Sequence, residues 1–241
     1  MQPFDYNEFH ASSDKTTEVG CSSAFQMNLF PTPVFKYQIQ DILICDKVAD
    51  LILKDILPNH AKEWKKYQNN AIKFRNNTIT TFDDLHLDPK FEFLLKFLNP
   101  IVEMTIDALN ISAPGFNYIS MWANILGSGG YMCAHTHPNS FLSGVLYLKL
   151  PGENKGKLYL EDPRDVKEAW AFDALPDKQS MFQHGSWGID PQVGTLVMFP
   201  SWLRHGTFQG KWKENEYRVA LSFNVIPKFV CTKNTMKYTV H

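Results

Sequence analysis

The spacing of apolar residues changes near Pro114, and the change divides the chain into a helical first part and a strand-rich second part. Before Pro114 the apolar positions recur at intervals of three and four, which is typical of amphipathic helices. After it they alternate with polar positions, which is typical of half-buried strands. Strands that follow helices, rather than alternating with them, favour an antiparallel sheet architecture with helices on its flank.

Two helices are predicted in the first part. One runs over residues 46–56, where Asp46 can act as the N-cap and Pro58 is expected to stop the helix. The other runs from about residue 89 to residue 109, and Pro100 is expected to kink or divide it.

Six strands are predicted after Pro114, separated by clusters of Gly, Pro, Asn and Asp that are typical of turns. Many short strands with turn signals between them favour a jelly roll. The predicted strands cover residues 118–126, 131–137, 143–150, 157–161, 195–199 and 218–225.

Four segments are therefore expected, in a protein that is mainly β with flanking helices. Residues 1–24 are a polar N-terminal arm, and residues 25–115 hold an extended segment and the helical support. Residues 116–230 form the β-rich core, and residues 231–241 form a C-terminal tail.

Charge and composition exclude some classes of function. The formal net charge is -1, which gives no electrostatic reason to expect a nucleic-acid or anionic-membrane partner. No apolar run approaches the roughly 20 residues of a membrane span. The N-terminal residues lack the basic and apolar regions of a secretory signal. The four cysteines are widely spaced, which favours a reducing, cytoplasmic location over a disulfide framework.

Three histidines are candidate metal ligands. His135 and His137 stand two apart in a predicted strand, so both imidazoles can face one ion, although such a pair also occurs on the polar rim of a barrel. His205 follows the apolar strand 195–199, and ligands from distant strands can fix an open coordination site. Imidazole suits iron, zinc, copper and nickel, so the ligand type alone does not select the metal.

Arg218 is the candidate anion-binding residue. The alternation of residues 216–224 places Arg218 on the same face as Ala220 and Ser222, opposite the apolar positions. An inward arginine without a counter-charge costs on the order of several kcal/mol. A guanidinium can donate two parallel hydrogen bonds to one carboxylate. The partner can be the carboxylate of a ligand or an acidic side chain of this chain, and the sequence leaves both open.

The order of these motifs resembles the 2-oxoglutarate/Fe(II) oxygenase superfamily and, more narrowly, a putative oxygenase family of bacteria and tailed phages. The resemblance covers roughly residues 29–226 and begins at the Leu-Phe-Pro-Thr-Pro-Val segment. It continues through the His-x-His pair, Gly144-Val-Leu-Tyr147-Leu, Gly156-Lys-Leu-Tyr-Leu160, Gly194-Thr-Leu-Val-Met-Phe-Pro-Ser-Trp-x-x-His205 and Tyr-Arg218-Val-Ala-Leu-Ser-Phe-Asn224.

The resemblance implies a double-stranded β-helix (a cupin-like jelly roll) and a dioxygenase. Fe(II) would be held by His135, His137 and His205, and the cosubstrate 2-oxoglutarate by Arg218 and Tyr147 with Asn124 as a weaker candidate. The implied reaction is hydroxylation of a small molecule or a protein side chain, with dioxygen consumed and succinate and carbon dioxide released. The proline-containing first strand could also pair across a homodimer.

The chain departs from the superfamily pattern at His137, where relatives have a carboxylate. Either three histidines hold the metal, or His135 and His205 bind it with water in the third place, or a remote acid such as Asp162 completes the site. Ala220 replaces a serine common in relatives, and Ser222 is a conceivable substitute. Two other functions therefore stay open: a three-histidine metalloenzyme that does not use 2-oxoglutarate, and a barrel that binds a ligand without turnover.

Overall fold

The computed structural model describes residues 7–8, 25–26, 31–59, 77–152, 155–164, 185–214 and 216–228. The chain divides into two compact units, residues 1–33 and 34–241. In the first unit, strands β1 (Asn7–Glu8) and β2 (Phe25–Gln26) pair antiparallel. Strand β1 lies inside the predicted polar arm, and the predicted tail, 231–241, lies outside the described residues.

The larger unit begins with an edge strand and two helices. Strand β3 (Phe35–Gln38) falls inside the predicted extended segment. Helix α1 (Ile42–Leu51) starts four residues earlier than the cap predicted at Asp46, because the side chain of Asp41 accepts a hydrogen bond from the backbone N–H of Leu43 at 3.1 Å. A π-helical segment (Ile52–Ile56) continues it, and helical geometry extends past Pro58 to residue 59, so the predicted stop at Pro58 is wrong.

The second predicted helix is confirmed. A 3-10 turn (Pro89–Phe91) leads into helix α2 (Glu92–Ala108), and the side chain of Asp88 caps the turn by accepting from the backbone N–H of Lys90 at 2.9 Å. Pro100 lies inside α2 without dividing it. No helix in the described ranges is long and apolar enough to cross a membrane.

The strands of the larger unit form two antiparallel sheets. Besides β3 they are β4 (Thr78–Thr80), β5 (Phe116–Leu126), β6 (Met132–His135), β7 (Leu142–Lys149), β8 (Leu158–Glu161), β9 (Ser186–Ile189), β10 (Thr195–Pro200), β11 (His205–Thr207) and β12 (Arg218–Pro227). The six strands predicted after Pro114 are present, while β4, β9 and β11 were not predicted. The six-stranded sheet has the order β3-β10-β7-β12-β5-β4, and the four-stranded sheet has the order β6-β11-β8-β9.

Two apolar clusters account for the layers. The larger cluster joins α1 and α2 to the outer face of the six-stranded sheet, through residues such as Val48, Leu98, Leu146 and Phe223. The smaller cluster lies between the two sheets and contains Tyr147, Leu160, Phe199 and Ala220. A mostly antiparallel sandwich of this kind, with helices supporting one sheet, is the predicted double-stranded β-helix.

Candidate active site

The four-stranded sheet brings His135 and His205 side by side. His135 is the last residue of β6 and His205 is the first residue of β11, and the antiparallel register places them directly opposite each other. Residues opposite each other in antiparallel strands have side chains on the same face, so both imidazoles point to the interior of the sandwich. Their ring centroids are 4.4 Å apart.

His137 lies beyond the end of its predicted strand. The sequence placed it in a strand over 131–137, but β6 ends at His135 because β11, its only neighbour in the sheet, begins at the paired His205. The imidazole of His137 still reaches the other two, with ring centroids 5.0 Å from both His135 and His205. Candidate ligand atoms of all three histidines lie within 4.8 Å of one another, so they could hold a metal ion.

Backbone carbonyls orient two of the three rings. The Nδ1 atom of His135 is 2.8 Å from the carbonyl oxygen of Cys133, and the Nδ1 atom of His205 is 2.8 Å from that of Leu203. A carbonyl oxygen can only accept, so each Nδ1 carries the hydrogen and each Nε2 presents a lone pair. This arrangement, in which the second ring nitrogen is fixed by a hydrogen bond, is the usual one for metal-binding histidines.

Burial keeps two of the imidazoles neutral. The pKa of His205 is lowered to about 4, mainly by burial; the hydrogen bond to the carbonyl of Leu203 opposes this change, and the proximity of His135 and His137 adds to it. Burial, followed by the proximity of His135, lowers the pKa of His137 to about 4 as well. Neutral imidazole is the form that binds metal, so near neutral pH protons do not compete for these two residues.

No carboxylate completes the cluster within the described part of the chain. The Glu161 carboxylate is 2.9 Å from the Nε atom of Arg204, and the Asp162 carboxylate contacts the guanidinium of Arg164. The possibility that Asp162 serves as a remote ligand is therefore not supported, because its charge is already paired at the protein surface.

Arg218 and Tyr147 form a buried polar pair in the same cavity. Arg218 is 2% exposed and Tyr147 is fully buried, and the guanidinium carbon lies 4.8 Å from the centre of the tyrosine ring. Among the described residues, neither the Nε atom of Arg218 nor the hydroxyl of Tyr147 has a hydrogen-bond partner of good geometry, although the two side chains lie against each other. No acidic side chain among the described residues pairs with Arg218, and burial lowers the pKa of its guanidinium. An unpaired buried guanidinium is costly, so an anion would be favoured in this corner of the cavity.

Asn124 is already engaged in hydrogen bonds. Its side-chain oxygen accepts from the hydroxyl of Thr80 at 2.9 Å, and its amide donates to the hydroxyl of Ser222 at 3.1 Å. Asn124 therefore has one amide hydrogen left for a ligand, and Ser222 has its hydroxyl proton. Both residues line the cavity. The hydroxyl of Ser222 could therefore substitute for the serine hydroxyl that is missing at position 220.

A single cavity between the sheets contains all six residues that the sequence singled out. Its wall includes the three histidines together with Arg218, Tyr147 and Asn124. Trp122 and Ser143, which were not predicted as site residues, also line the cavity, and the indole of Trp122 lies 5.3 Å from the ring of His137. The alternation along β5, which puts Trp122 on the same face as Asn124, was the available signal.

The central segment of the chain matches a known family. Residues 120–224 match the family described as putative 2OG-Fe(II) oxygenase, and this segment carries all six predicted site residues. No curated protein sequence matches the chain.

Solved structures share the fold at low sequence identity. A prolyl-4-hydroxylase from Pseudomonas putida superimposes with a TM-score of 0.51 at 14% identity, covering 81% of this chain and 94% of the other. HygX from Streptomyces hygroscopicus, crystallised with nickel, 2-oxoglutarate and hygromycin B, gives a TM-score of 0.50 at 12% identity, covering 81% and 83%. At these identities the likeness concerns the fold.

Proposed function

We propose that this protein, whose residues 120–224 belong to the 2OG-Fe(II) oxygenase family, is an Fe(II)- and 2-oxoglutarate-dependent dioxygenase that hydroxylates its substrate. The observation that carries the proposal is the joint presence, in one cavity, of a three-histidine cluster and a buried arginine without an acidic partner. The first group suits a metal ion and the second suits a carboxylate.

We assign His135, His137 and His205 to the metal. The carbonyl-bound Nδ1 atoms of His135 and His205 leave their Nε2 atoms for coordination, and three neutral ligands leave positions free for a chelating cosubstrate and dioxygen. Because the third ligand is an imidazole rather than a carboxylate, the protein contributes no negative charge to the site. A dianionic cosubstrate would then balance the two positive charges of ferrous iron.

We assign Arg218 and Tyr147 to the distal carboxylate of 2-oxoglutarate. The Nε atom of Arg218 and the hydroxyl of Tyr147 both need a hydrogen-bond acceptor, and a carboxylate with two oxygens can accept from both. Asn124, with Ser222, is assigned to the edge of this pocket. When bound, iron and 2-oxoglutarate supply an oxidative decarboxylation that converts 2-oxoglutarate, dioxygen and a C–H group into succinate, carbon dioxide and an alcohol.

The substrate is an organic molecule or a protein side chain with a reactive C–H bond. The fold relatives are associated with different classes of molecule, since one is a prolyl-4-hydroxylase and the other was crystallised with hygromycin B. A cytoplasmic location fits the free thiols of Cys45 and Cys133. A homodimer formed through the first edge strand, β3, stays a prediction.

One experiment tests the cofactor assignment directly. Anaerobic addition of Fe(II) and then 2-oxoglutarate should produce a weak visible charge-transfer band, and admission of air should produce succinate even without substrate. Arg218→Met should abolish the band at moderate 2-oxoglutarate concentration, whereas Arg204→Met, which removes an exposed arginine, should retain it.

A rival function follows from His137, because a three-histidine site also suits metalloenzymes that do not use 2-oxoglutarate. Iron binding without the charge-transfer band, together with no succinate in air, would favour that rival. Absence of iron binding would favour a ligand-binding barrel without turnover.

A further inference from the structure

The imidazole of His137 is held by fewer contacts than the imidazoles of His135 and His205. His135 and His205 lie within strands, and their rings are hydrogen-bonded to backbone carbonyls. His137 lies outside β6, and its ring makes no such hydrogen bond to the described residues, although it contacts the ring of Trp122. Something other than the β-ladder must therefore hold this imidazole at the cluster.

The backbone of Ser201 is hydrogen-bonded to both ends of the loop that carries His137. The backbone N–H of His137 donates to the carbonyl oxygen of Ser201 at 2.9 Å, and the backbone N–H of Ser201 donates to the carbonyl oxygen of Phe141 at 3.0 Å. One residue in the β10–β11 turn thus binds both ends of residues 137–141. A shift of Ser201 would therefore act on both ends of this loop.

The side chain of Ser201 is in turn anchored in the six-stranded sheet. Its hydroxyl is 2.9 Å from the hydroxyl of Ser143, which is 2.7 Å from the side-chain oxygen of Asn224. That oxygen only accepts, so the single proton of Ser143 goes to Asn224 and the hydroxyl of Ser201 donates to Ser143. The amide of Asn224 then donates to the hydroxyl of Ser120 at 3.0 Å. We call these four residues the Ser201 chain.

Burial makes the Ser201 chain rigid. Ser201 is fully buried, Ser143 is 3% exposed and Asn224 is 4% exposed. Breaking a hydrogen bond among these three buried residues would leave a polar group without water, which favours a single arrangement. Its members come from β5, β12, β7 and the β10–β11 turn, and they link the six-stranded sheet to the residue that holds His137.

We propose that Ser201 is a positioning residue, which, through the Ser201 chain, holds His137 in the place that relatives give to a carboxylate ligand. The inference rests on the proposed metal site and does not depend on 2-oxoglutarate. A carboxylate would be drawn to the metal by its charge. A neutral imidazole lacks that attraction, so its position has to be set by the protein beforehand.

The test is metal binding by Ser201→Ala. Its Co(II) affinity should fall on the order of 10-fold, and pulsed EPR of the Cu(II)-loaded protein should count two coordinated imidazoles instead of three. The matched control is Thr105→Val, which removes another fully buried, hydrogen-bonded hydroxyl, one that lies on the helix side of the larger sheet. That variant should melt earlier, as Ser201→Ala does, while keeping three imidazoles and wild-type Co(II) affinity.

A double variant separates positioning from general loosening. If Ser201 acts through His137, then Ser201→Ala should cost little further Co(II) affinity once His137→Ala is present. An equal loss in both backgrounds, or three imidazoles retained in Ser201→Ala, would overturn the proposal. Two imidazoles in the wild-type protein would also overturn it, together with the assignment of His137 as a ligand. A missing succinate signal would affect only the oxygenase function, because none of these measurements uses 2-oxoglutarate.

Discussion

At the scale of single residues, the candidate site is distinguished by buried side chains that lack their usual hydrogen-bond or charge partners among the described residues. Within the ranges that the structure describes, Arg218 and Tyr147 are buried with polar atoms that have no hydrogen-bond partner, and no carboxylate joins the three histidines. Such groups destabilise the empty protein and favour the bound one, because a buried polar group regains its hydrogen bond only when a ligand supplies it.

Replacing Arg218 should therefore have opposite effects on binding and on stability. Arg218→Met removes a buried guanidinium that has no acidic partner, so the melting temperature of the metal-free protein should stay the same or rise. The 2-oxoglutarate concentration needed for half-maximal succinate formation should rise by about 10- to 100-fold, the loss expected for hydrogen bonds to a charged group. Differential scanning calorimetry and succinate assays measure the two effects. Unchanged 2-oxoglutarate dependence would contradict the assignment.

The pKa values of the histidines predict how the metal-free protein responds to acid. The pKa of His137 and of His205 is about 4 in the folded state, against about 6.5 in an unfolded chain. The unfolded chain therefore binds more protons between these values. The free energy of unfolding should fall as the pH drops from about 6.5 to about 4, by at most about 1.4 kcal/mol per pH unit for each imidazole.

Urea unfolding of metal-free protein at a series of pH values measures this slope. His137→Gln, which cannot take up the proton, should show a shallower slope than the wild-type protein, and the two should agree in slope above pH 6.5. Equal slopes for both proteins throughout the acid range would show that His137 is not held neutral.

At the scale of elements, the site depends on strand β7, which lies between β10 and β12 in the larger sheet. Its residues alternate between the cavity, with Ser143 and Tyr147, and the helix-facing core, with Leu142 and Leu146. Gly144 interrupts this alternation because a methyl group there would meet the ring of Phe223. The aromatic ring occupies the space of the missing side chain.

Gly144→Ala should accordingly destabilise the protein by about 1–3 kcal/mol through overpacking. Gly152→Ala is the matched control, because no atom lies within 4 Å of the added methyl group, and it should change stability little. Chemical denaturation compares the two variants. A neutral Gly144→Ala would mean that Phe223 can move away from β7 at no cost.

The hydrophobic pattern predicts which face of an element is buried more accurately than where the element begins and ends. Strand parity correctly predicted the inward face of β12, where Arg218, Ala220 and Ser222 point to the cavity and Leu221 to the helices. It misplaced the end of β6, because a strand ends where its neighbour ends, and β11 is too short for its own pattern to be recognised. The N-cap of α1 was predicted at Asp46 instead of Asp41, because by residue type alone both are equally acceptable caps.

At the scale of the whole molecule, the two sheets enclose a cavity that is lined by both the histidine cluster and Arg218. Ligands that bind only the folded state stabilise it by mass action. Because 2-oxoglutarate is proposed to contact both the metal and Arg218, its binding should depend on the metal.

The melting temperature should follow this dependence. Mn(II) with 2-oxoglutarate at about 100 times its dissociation constant should add about 2.7 kcal/mol, or about 5–10 °C for a protein of this size. Without metal the same 2-oxoglutarate concentration should have a much smaller effect, and Arg218→Met should lose the increment in both cases. Differential scanning fluorimetry measures the series. An equal shift with and without Mn(II) would place the keto acid away from the histidines.

The sequence by itself determined the features that depend on local periodicity: the order of helices and strands, the inward face that carries Arg218, and the three histidines as candidate ligands. It carried the family resemblance because those features recur in a fixed order. The tertiary structure alone decided which groups are left without partners. That Arg218 and Tyr147 line one cavity with the histidines, that Asn124 is hydrogen-bonded to Thr80 and Ser222, and that the backbone of Ser201 is hydrogen-bonded to the loop of His137 follow from contacts between segments distant in the chain. Such contacts obey packing and hydrogen-bond satisfaction across the whole fold, and no local pattern of residues records them.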